Sequence, residues 1–216
     1  MLYVYAFVAE SGVAPESAGI DDAALRLQPL PDGLAAVVSE HEAPVEASDA
    51  AVLAHARAVE AVATANDAVL PARFGAIHVD EAALREAVGE RMDLRAALER
   101  VRGCVELGLR VFVEAADPTP APSGTVYMRA RLEQRRELER LATRLHEPLA
   151  SLARDSTLTV GATPRLLLTS AYLVERERVE AFRETLTTLE AQHPQVGAVC
   201  TGPWPPYSFA IAGGGT

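Results

Sequence analysis

Lysine is absent from this sequence, in which all twenty basic residues are arginine. A lysine Schiff base and the lysine of a phosphate-binding P-loop are therefore excluded. The arginines are dispersed along the chain, so we attribute the absence of lysine to coding bias. Thirty acidic residues leave a formal net charge of −10, which disfavours nonspecific nucleic-acid binding and docking on an anionic membrane.

Aromatic residues and cysteines are scarce as well. Aromatic residues make up 5% of the chain and apolar residues 49%, so the core has to consist mostly of alanine, valine and leucine. Cys104 and Cys200 lie far apart, and we interpret them as free thiols. The apolar run over residues 1–8 has no basic segment before it and is too short to span a membrane, so we expect a soluble cytoplasmic protein.

Known catalytic motifs are also missing. The sequence contains no nucleophile elbow, P-loop or dinucleotide-binding glycine motif, and its five histidines lack the spacing of metal ligands. We therefore predict no enzyme activity, no cofactor and no metal. His78, between Ile77 and Val79, is the histidine most worth testing, although a lone histidine in a strand is more often structural.

Hydrophobic patterning predicts an α+β protein with two domains, residues 1–117 and 124–216. In the first domain, strands are predicted over residues 2–9, 34–39, 69–79 and 105–115. A helical turn is predicted over residues 21–27 and a tight turn over residues 29–33. One helix is predicted to begin at Ser48 or Asp49, and a second helix to cover residues 81–101. The first helix is expected to bury Val52, Ala56, Val59 and Val62. This order predicts a modified ferredoxin-like sheet with helices on one face.

A stiff, proline-rich linker is predicted at residues 116–124, before the second domain. A long helix should follow over about residues 125–154, with Pro148 kinking or breaking it. Its arginines and glutamates alternate at spacings of three and four, which is typical of a solvent-exposed face. Strands near 158–161, over 166–174 and over 196–201, and a helix over 175–192, complete the second α+β domain.

Residues 69–75, Val-Leu-Pro-Ala-Arg-Phe-Gly, place one arginine between a proline and an aromatic residue. Arg73 could cap backbone carbonyls or pair with a carboxylate where the strand begins. Alternatively, an exposed Arg73 guanidinium beside Phe74 has the composition of an interface anchor. The sequence leaves both interpretations open.

Residues 202–209, Gly-Pro-Trp-Pro-Pro-Tyr-Ser-Phe, contain three prolines and the single tryptophan. Each proline fixes φ and removes a backbone donor, so neither a regular helix nor a central strand can pass through. A stiff extended or turn segment is predicted, with the aromatic side chains pointing outward. Either the fold or a partner must require such a segment.

Three segments together resemble one family, the gas vesicle proteins of the F/L type: residues 3–6 (Tyr-Val-Tyr-Ala), residues 70–75 (Leu-Pro-Ala-Arg-Phe-Gly) and residues 202–209. The resemblance covers essentially the whole chain. It implies two α+β domains, the first a modified ferredoxin-like fold, and a non-enzymatic accessory protein of gas vesicle formation. It also implies as partners the apolar shell subunit of the vesicle wall and other gas vesicle accessory proteins.

The resemblance and the residues together give a hypothesis about binding sites. An acidic protein would stay dispersed while covering a strongly apolar shell subunit, and exposed strand edges could pair with that subunit. We expect the first domain to make the contact, with Arg73 and Phe74 near it. We call residues 202–209 the proline-aromatic string and expect it to brace the interface between the two domains. The residues expected in this role are Trp204, Pro205, Pro206, Tyr207 and Phe209.

Two other classes of function fit the pattern. Ferredoxin-like pairs also form ligand-sensing regulatory modules and dimeric α/β-barrel oxygenases, in which His78 or His41 would face a deep pocket. A scaffold whose long arginine- and glutamate-rich helix pairs with another helix is the second alternative.

Overall fold

A computed structural model of the chain describes residues 1–89, 94–113, 123–161 and 165–210. Its strands are β1 (Leu2–Ala9), β2 (Arg26–Leu30), β3 (Leu34–Glu40), β4 (Leu70–Pro71), β5 (Ile77–His78), β6 (Cys104–Val113), β7 (Asp155–Val160), β8 (Leu166–Glu175) and β9 (Val196–Trp204). Its helices are α1 (Asp49–Ala65), α2 (Glu81–Gly89), α3 (Leu94–Val101), α4 (Gly124–Ala150) and α5 (Val179–Gln192). These elements confirm the predicted α+β class.

Internal contacts divide the chain into two compact units. The first unit contains Met1–Val105 and the segment that begins at Trp204, and the second contains Glu106–Pro203. Most of the predicted linker lies outside the described residues, so the domains over residues 1–117 and 124–216 stay a prediction. The segment from Trp204, which that prediction assigns to the second domain, groups instead with the first unit, where Phe209 is buried.

The sheet of the first unit is built around β1. Its strands follow the order β2-β3-β1-β4, and β5 also pairs with β1. The antiparallel β1–β3 register slips between Val4 and Ala6, so Tyr5 lies at a β-bulge. Tyr3 and Tyr5 before the slip, and Ala6 and Val8 after it, all pack in clusters that include residues of α1. The bulge thus lets successive residues of one strand face the same helix.

The predictions around β2 were right about two short turns and wrong about the strand between them. Residues predicted as a helical turn and a tight turn include β2, which pairs antiparallel with β3 from Arg26 to Leu30. Only Ile20–Asp22 and Pro31–Gly33 form short 3₁₀ turns. The sheet accommodates Pro29 because β2 is an edge strand, where a missing backbone donor costs no ladder hydrogen bond.

The helix predicted over residues 81–101 corresponds to α2 and α3, and residues 90–93 between them lie outside the described residues. Leu84, Leu98 and Val101 are buried. Gly103 follows α3 at φ +69°, the conformation in which glycine commonly ends a helix.

The second unit contains a sheet of order β7-β8-β6-β9. Its core is mostly leucine, contributed by β6, β8, α4 and α5: Leu107, Leu109, Leu141, Leu145, Leu149, Leu167, Leu168, Leu186 and Leu189, with Tyr172 and Phe182. Pro148 lies in the last turn of α4, which ends at Ala150 rather than near residue 154. None of the helices in the described parts of the chain combines the length and apolarity that a membrane span requires.

Candidate interaction site

The Arg73 turn, residues 73–76, interrupts the strand that runs beside β1. The Ala72 N–H donates to the Tyr5 carbonyl at 2.8 Å, and the Val4 N–H donates to the Ala76 carbonyl at 2.8 Å. Between these two points the Ala76 N–H donates to the Arg73 carbonyl at 3.2 Å and closes a β-turn. Gly75 has φ +85°, which the third position of a type II turn requires and which favours glycine.

Two buried side chains attach this turn to the sheet and to α1. The Gly75 N–H donates to the Tyr3 hydroxyl at 3.0 Å, and the same hydroxyl lies 3.0 Å from His55 Nδ1. His55 Nε2 lies 3.2 Å from the Ala72 carbonyl. Because a carbonyl only accepts, Nε2 carries the proton and Nδ1 accepts from the Tyr3 hydroxyl. Every polar atom of this pair is therefore satisfied.

Aromatic rings fill the space around His55. The Phe74 ring lies 5.8 Å from the His55 ring and 6.1 Å from the Tyr3 ring, in edge-on orientation. Tyr5 stacks on His55 at 5.5 Å. These distances are typical of favourable ring contacts. This face of the sheet is therefore packed with side chains rather than open as a pocket.

Burial keeps the histidine and tyrosine neutral. It lowers the pKa of His55 below its ordinary value, and the hydrogen bond to the Ala72 carbonyl opposes part of that change. Burial raises the pKa of Tyr3, and the Gly75 N–H opposes part of that increase. A neutral pair costs less to bury than an ionised one, so the turn is held by ordinary hydrogen bonds.

Arg73 and Phe74 have different environments. Arg73 is exposed, and within the described residues its guanidinium makes no hydrogen bond or ion pair. Phe74 is half-buried against the ring cluster. Of the two interpretations of this segment, the geometry matches an exposed guanidinium beside an aromatic residue. A role in partner binding stays a prediction.

The proline-aromatic string is seated on the first unit from Trp204 onward. Pro205, Pro206 and Phe209 are buried, and the Phe209 carbonyl accepts from Arg100 Nη2 at 2.8 Å. Trp204 and Tyr207 are 46% and 40% exposed. The expectation that the aromatic side chains point outward is therefore wrong for Phe209. The bracing role between domains stays a prediction for all five residues.

The three segments that carry the family resemblance meet in space. Residues Tyr207–Phe209 form a short 3₁₀ turn that contacts β4, directly before the Arg73 turn. Burial raises the pKa of Tyr207 to about 12, and nearby Glu60 and Tyr3 contribute to that increase. Tyr3 joins the first segment to the second through the Gly75 N–H, and the third segment lies against the second at β4.

Neither His41 nor His78 lines either of the two pockets described among the residues that the structure covers. His41 Nε2 lies 2.8 Å from Ser39 Oγ, which in turn lies 2.9 Å from the Tyr5 hydroxyl. His78 belongs to β5, opposite Leu2. Neither one occupies the centre of the ring cluster, which is the place of His55. Within the described ranges, no group of three His, Cys, Asp or Glu side chains could hold a metal.

The predicted inward face of α1 was correct at Val59 and Val62, but His55 was missed because the first half of that face was predicted one residue out of place, at Val52 and Ala56. Val52 is 46% exposed, while Ala51, His55, Ala58, Val59 and Val62 are buried. That buried set follows the spacing of three and four as well as the predicted one does. The faces of an alanine-rich helix differ little in hydrophobicity, so hydrophobic spacing alone does not identify the buried face. The position of His55, four residues from both Ala51 and Val59, was the signal that could have identified it.

The fold is shared with solved structures of gas vesicle proteins. The solved structure of gas vesicle protein GvpF from Anabaena sp. PCC7120 superposes with a TM-score of 0.79 at 18% identity, covering 99% of this chain and 97% of that one. GvpF from Microcystis aeruginosa gives a TM-score of 0.78 at 17% identity, with coverages of 98% and 99%.

Proteins related in sequence are also gas vesicle proteins. Gas vesicle protein F2 of Halobacterium salinarum is 33% identical over 180 residues, 82% of this chain and 76% of the relative. Gas vesicle protein L of a Streptomyces species is 35% identical over 247 aligned positions, covering 96% of this chain and 92% of the relative. Residues 1–211 match the family described as gas vesicle synthesis protein GvpL/GvpF. This chain belongs to that family.

Proposed function

We propose that this protein is a non-enzymatic, cytoplasmic accessory factor that binds the apolar shell subunit of gas vesicles and assists nucleation and assembly of the wall. Its membership in the gas vesicle synthesis family supports the general role. The Arg73 turn supports the binding role, since it presents an exposed guanidinium on a fixed backbone. Other accessory proteins of the vesicle are proposed as further partners.

A fixed turn is suited to recognition because little conformational freedom is lost on binding. The backbone of the Arg73 turn is held through Tyr3, His55 and two strand hydrogen bonds before any partner arrives. Arginine is enriched at the energetic centres of interfaces, where its planar group both donates hydrogen bonds and packs on apolar surface. We therefore place Arg73 at the contact and Phe74 beneath it as a support.

Strand pairing is a weaker account of binding by the first unit. One sheet edge is β2, where Pro29 removes a donor, and the other consists of the two-residue strands β4 and β5. Short edges of this kind present few backbone groups to an added strand. We therefore propose a contact made mainly by side chains.

A catalytic role is disfavoured by the packing around His55. Catalytic sites usually lie in a concave pocket with converging polar groups, whereas the ring cluster fills the face that the predicted small-molecule site would need. The regulatory-module and oxygenase alternatives therefore lack a supporting geometry on this face.

The test uses the full-length chain, because the segment from Trp204 packs with the first unit and a fragment of residues 1–117 would lack it. We expect Arg73→Ala to reduce capture of the shell subunit at least tenfold while the free energy of unfolding changes by less than about 0.5 kcal/mol. Capture is measured by co-purification from cells that produce both proteins.

Arg57→Ala is the matched control, since Arg57 is an exposed arginine of α1 in the same unit. It should leave capture unchanged. If Arg73→Ala captures the shell subunit as well as the unchanged protein does, Arg73 is not in the contact. If the unchanged protein neither captures the shell subunit nor slows its aggregation, direct shell binding is wrong.

The same assay tests the proline-aromatic string. If Trp204→Ala and Tyr207→Ala abolish capture without lowering the melting temperature, these side chains contact the partner directly and the bracing role is wrong. Loss of stability together with retained capture would support bracing.

A further inference from the structure

The first half of α4 lies open to solvent. Every residue from 123 to 137 is exposed, although the helix continues from there into the leucine core at Leu141 and Leu145. Fifteen residues correspond to about 22 Å of helix. Isolated helices of that length are marginal in water, so the exposed half depends on the packed half for its stability.

One row of side chains runs along the outer surface of this helix. Met128, Leu132, Arg136, Arg140 and Arg144 follow each other at intervals of four, and all five are exposed. We call this row the α4 ridge. Residues at four-residue intervals form the ridges with which helices pack into one another's grooves. The ridge is about 24 Å long, with two apolar side chains at one end and three arginines at the other.

The apolar end of the ridge is uncovered. Met128 is 59% exposed and Leu132 54% exposed, and neither belongs to the leucine core of the second unit. Scattered exposed apolar residues need no explanation. Here, however, the two side chains adjoin on one face of the exposed half of α4 and continue the row of arginines.

At the arginine end, the carboxylate that borders the three arginines, Glu139, is already paired with another arginine. Within the described residues, Arg136, Arg140 and Arg144 make no ion pair, whereas their neighbour Arg135 pairs with Glu139 at 2.9 Å. The three side chains border an open surface groove of about 420 Å³, together with Glu139 and Thr143. In a chain of net charge −10, three adjacent unpaired arginines are a local exception.

We propose that the α4 ridge is a second binding surface, which takes an acidic amphipathic helix of a partner protein. Carboxylates at four-residue intervals on that helix would match the arginines in spacing, and its leucines would cover Met128 and Leu132. A folded nucleic acid or anionic membrane fits less well, because the net negative charge of the whole chain repels both. This surface is independent of the Arg73 turn.

The test uses full-length protein and a synthetic helical peptide as the probe. The peptide has an alanine scaffold, two leucines at one end and glutamates at every fourth position along the same face. A second peptide has the same composition with the glutamates distributed around the helix. We expect fluorescence anisotropy at low salt to show at least fivefold tighter binding of the first peptide, and weaker binding as salt rises.

Two triple variants distinguish the ridge from general charge effects. Arg136→Glu/Arg140→Glu/Arg144→Glu should weaken binding of the first peptide at least tenfold. Arg57→Glu/Arg110→Glu/Arg165→Glu makes the same change in net charge at exposed arginines elsewhere and should weaken it less than threefold. Circular dichroism confirms that both variants are folded.

Three outcomes would overturn the proposal: equal binding of the two peptides, equal losses in the two triple variants, or no binding of the first peptide at millimolar concentration. Tighter binding of a twenty-nucleotide single-stranded RNA than of the peptide would assign the ridge to nucleic acid instead. Shell-subunit capture depends on Arg73 in our account, so its failure leaves the peptide result unaffected.

Discussion

Each unit of this protein pairs a histidine of a helix with a buried tyrosine of a strand, but the two pairs have different roles. In the first unit His55 lies 3.0 Å from the Tyr3 hydroxyl, and in the second His146 lies 2.9 Å from the Tyr172 hydroxyl. His55 uses its other nitrogen on the Ala72 carbonyl, next to the Arg73 turn. His146 Nε2 lies only within 3.5 Å of Ser156 Oγ.

The two histidine–tyrosine pairs differ in what their hydrogen bonds hold in place. The His55–Tyr3 pair connects the sheet and α1 to a turn that reaches solvent, so its hydrogen bonds fix a surface feature. The His146–Tyr172 pair lies beside a leucine core that already holds α4 on β8. The same chemistry therefore supports a presented turn in one unit and supplements packing in the other.

The largest expected effect comes from removing each histidine. His55→Ala should lower the free energy of unfolding by about 3 kcal/mol, because it opens a cavity and leaves the Tyr3 O–H donor and the Ala72 carbonyl without their His55 partner. His146→Ala should cost about 1 kcal/mol, since His146 is only half-buried. Urea unfolding of both variants measures the difference in the free energy of unfolding. Equal losses of stability would show that the two histidines do not differ in their contribution.

Removing each tyrosine hydroxyl isolates the hydrogen bonds. Tyr3→Phe should cost about 2 kcal/mol, since it leaves both the Gly75 N–H and His55 Nδ1 without a partner. Tyr172→Phe should cost about 1 kcal/mol. Hydrogen exchange of the Gly75 amide should accelerate in Tyr3→Phe alone. If that amide stays protected, the hydroxyl does not hold the turn.

Replacing Gly75 by alanine tests whether the positive φ at this position of the turn requires glycine. Gly75→Ala should cost about 1 kcal/mol, because φ +85° disfavours a Cβ while nothing lies within 4 Å of it. Gly197, on β9, is equally open without a positive φ, so Gly197→Ala should be neutral. A neutral Gly75→Ala would mean that the turn adopts another geometry in solution.

The smallest expected effect is the dependence of stability on pH. Burial lowers the pKa of both His55 and His146, so the unfolded chain binds more protons on them as the pH falls below about 6.5. Stability from the neutral histidines is complete above that pH and is lost as the pH falls through the folded-state pKa values. Urea midpoints from pH 8 to 5.5 measure it.

His55→Gln should remove more of this pH dependence than His146→Gln, because His55 is the more deeply buried of the two. Unfolding midpoints of the two variants over the same pH range supply the comparison. A pH dependence that survives both substitutions would have to come from other groups.

Much of the fold was predictable because its elements have strong local signals. The aromatic and β-branched start predicted β1 with its observed bounds. Ser48 or Asp49 was predicted to cap α1, and the structure assigns the cap to Ser48, whose side chain accepts from the Ala51 N–H. β2 was missed because Pro29, judged from the neighbouring sequence alone, indicates a turn. Only the pairing of residues 26–30 with β3 shows that this segment is an edge strand.

The candidate site was predictable in its parts but not as a whole. The segments around Tyr3, Arg73 and Tyr207 stand out by composition. That they meet depends on contacts between residues more than a hundred positions apart, which periodicity does not encode. His55, which fixes the arrangement, lies in an alanine-rich helix where neighbouring faces look alike.

The return of the chain at Trp204 bears on the order in which the protein matures. Phe209 and the carbonyl that Arg100 binds leave the ribosome only after all of the second unit has been made. Since domains generally fold as units during synthesis, the first unit should wait, incomplete, while the second one folds. The Arg73 turn would acquire its final surroundings last, so a prematurely terminated chain should present this turn without the support of the residues that follow Trp204.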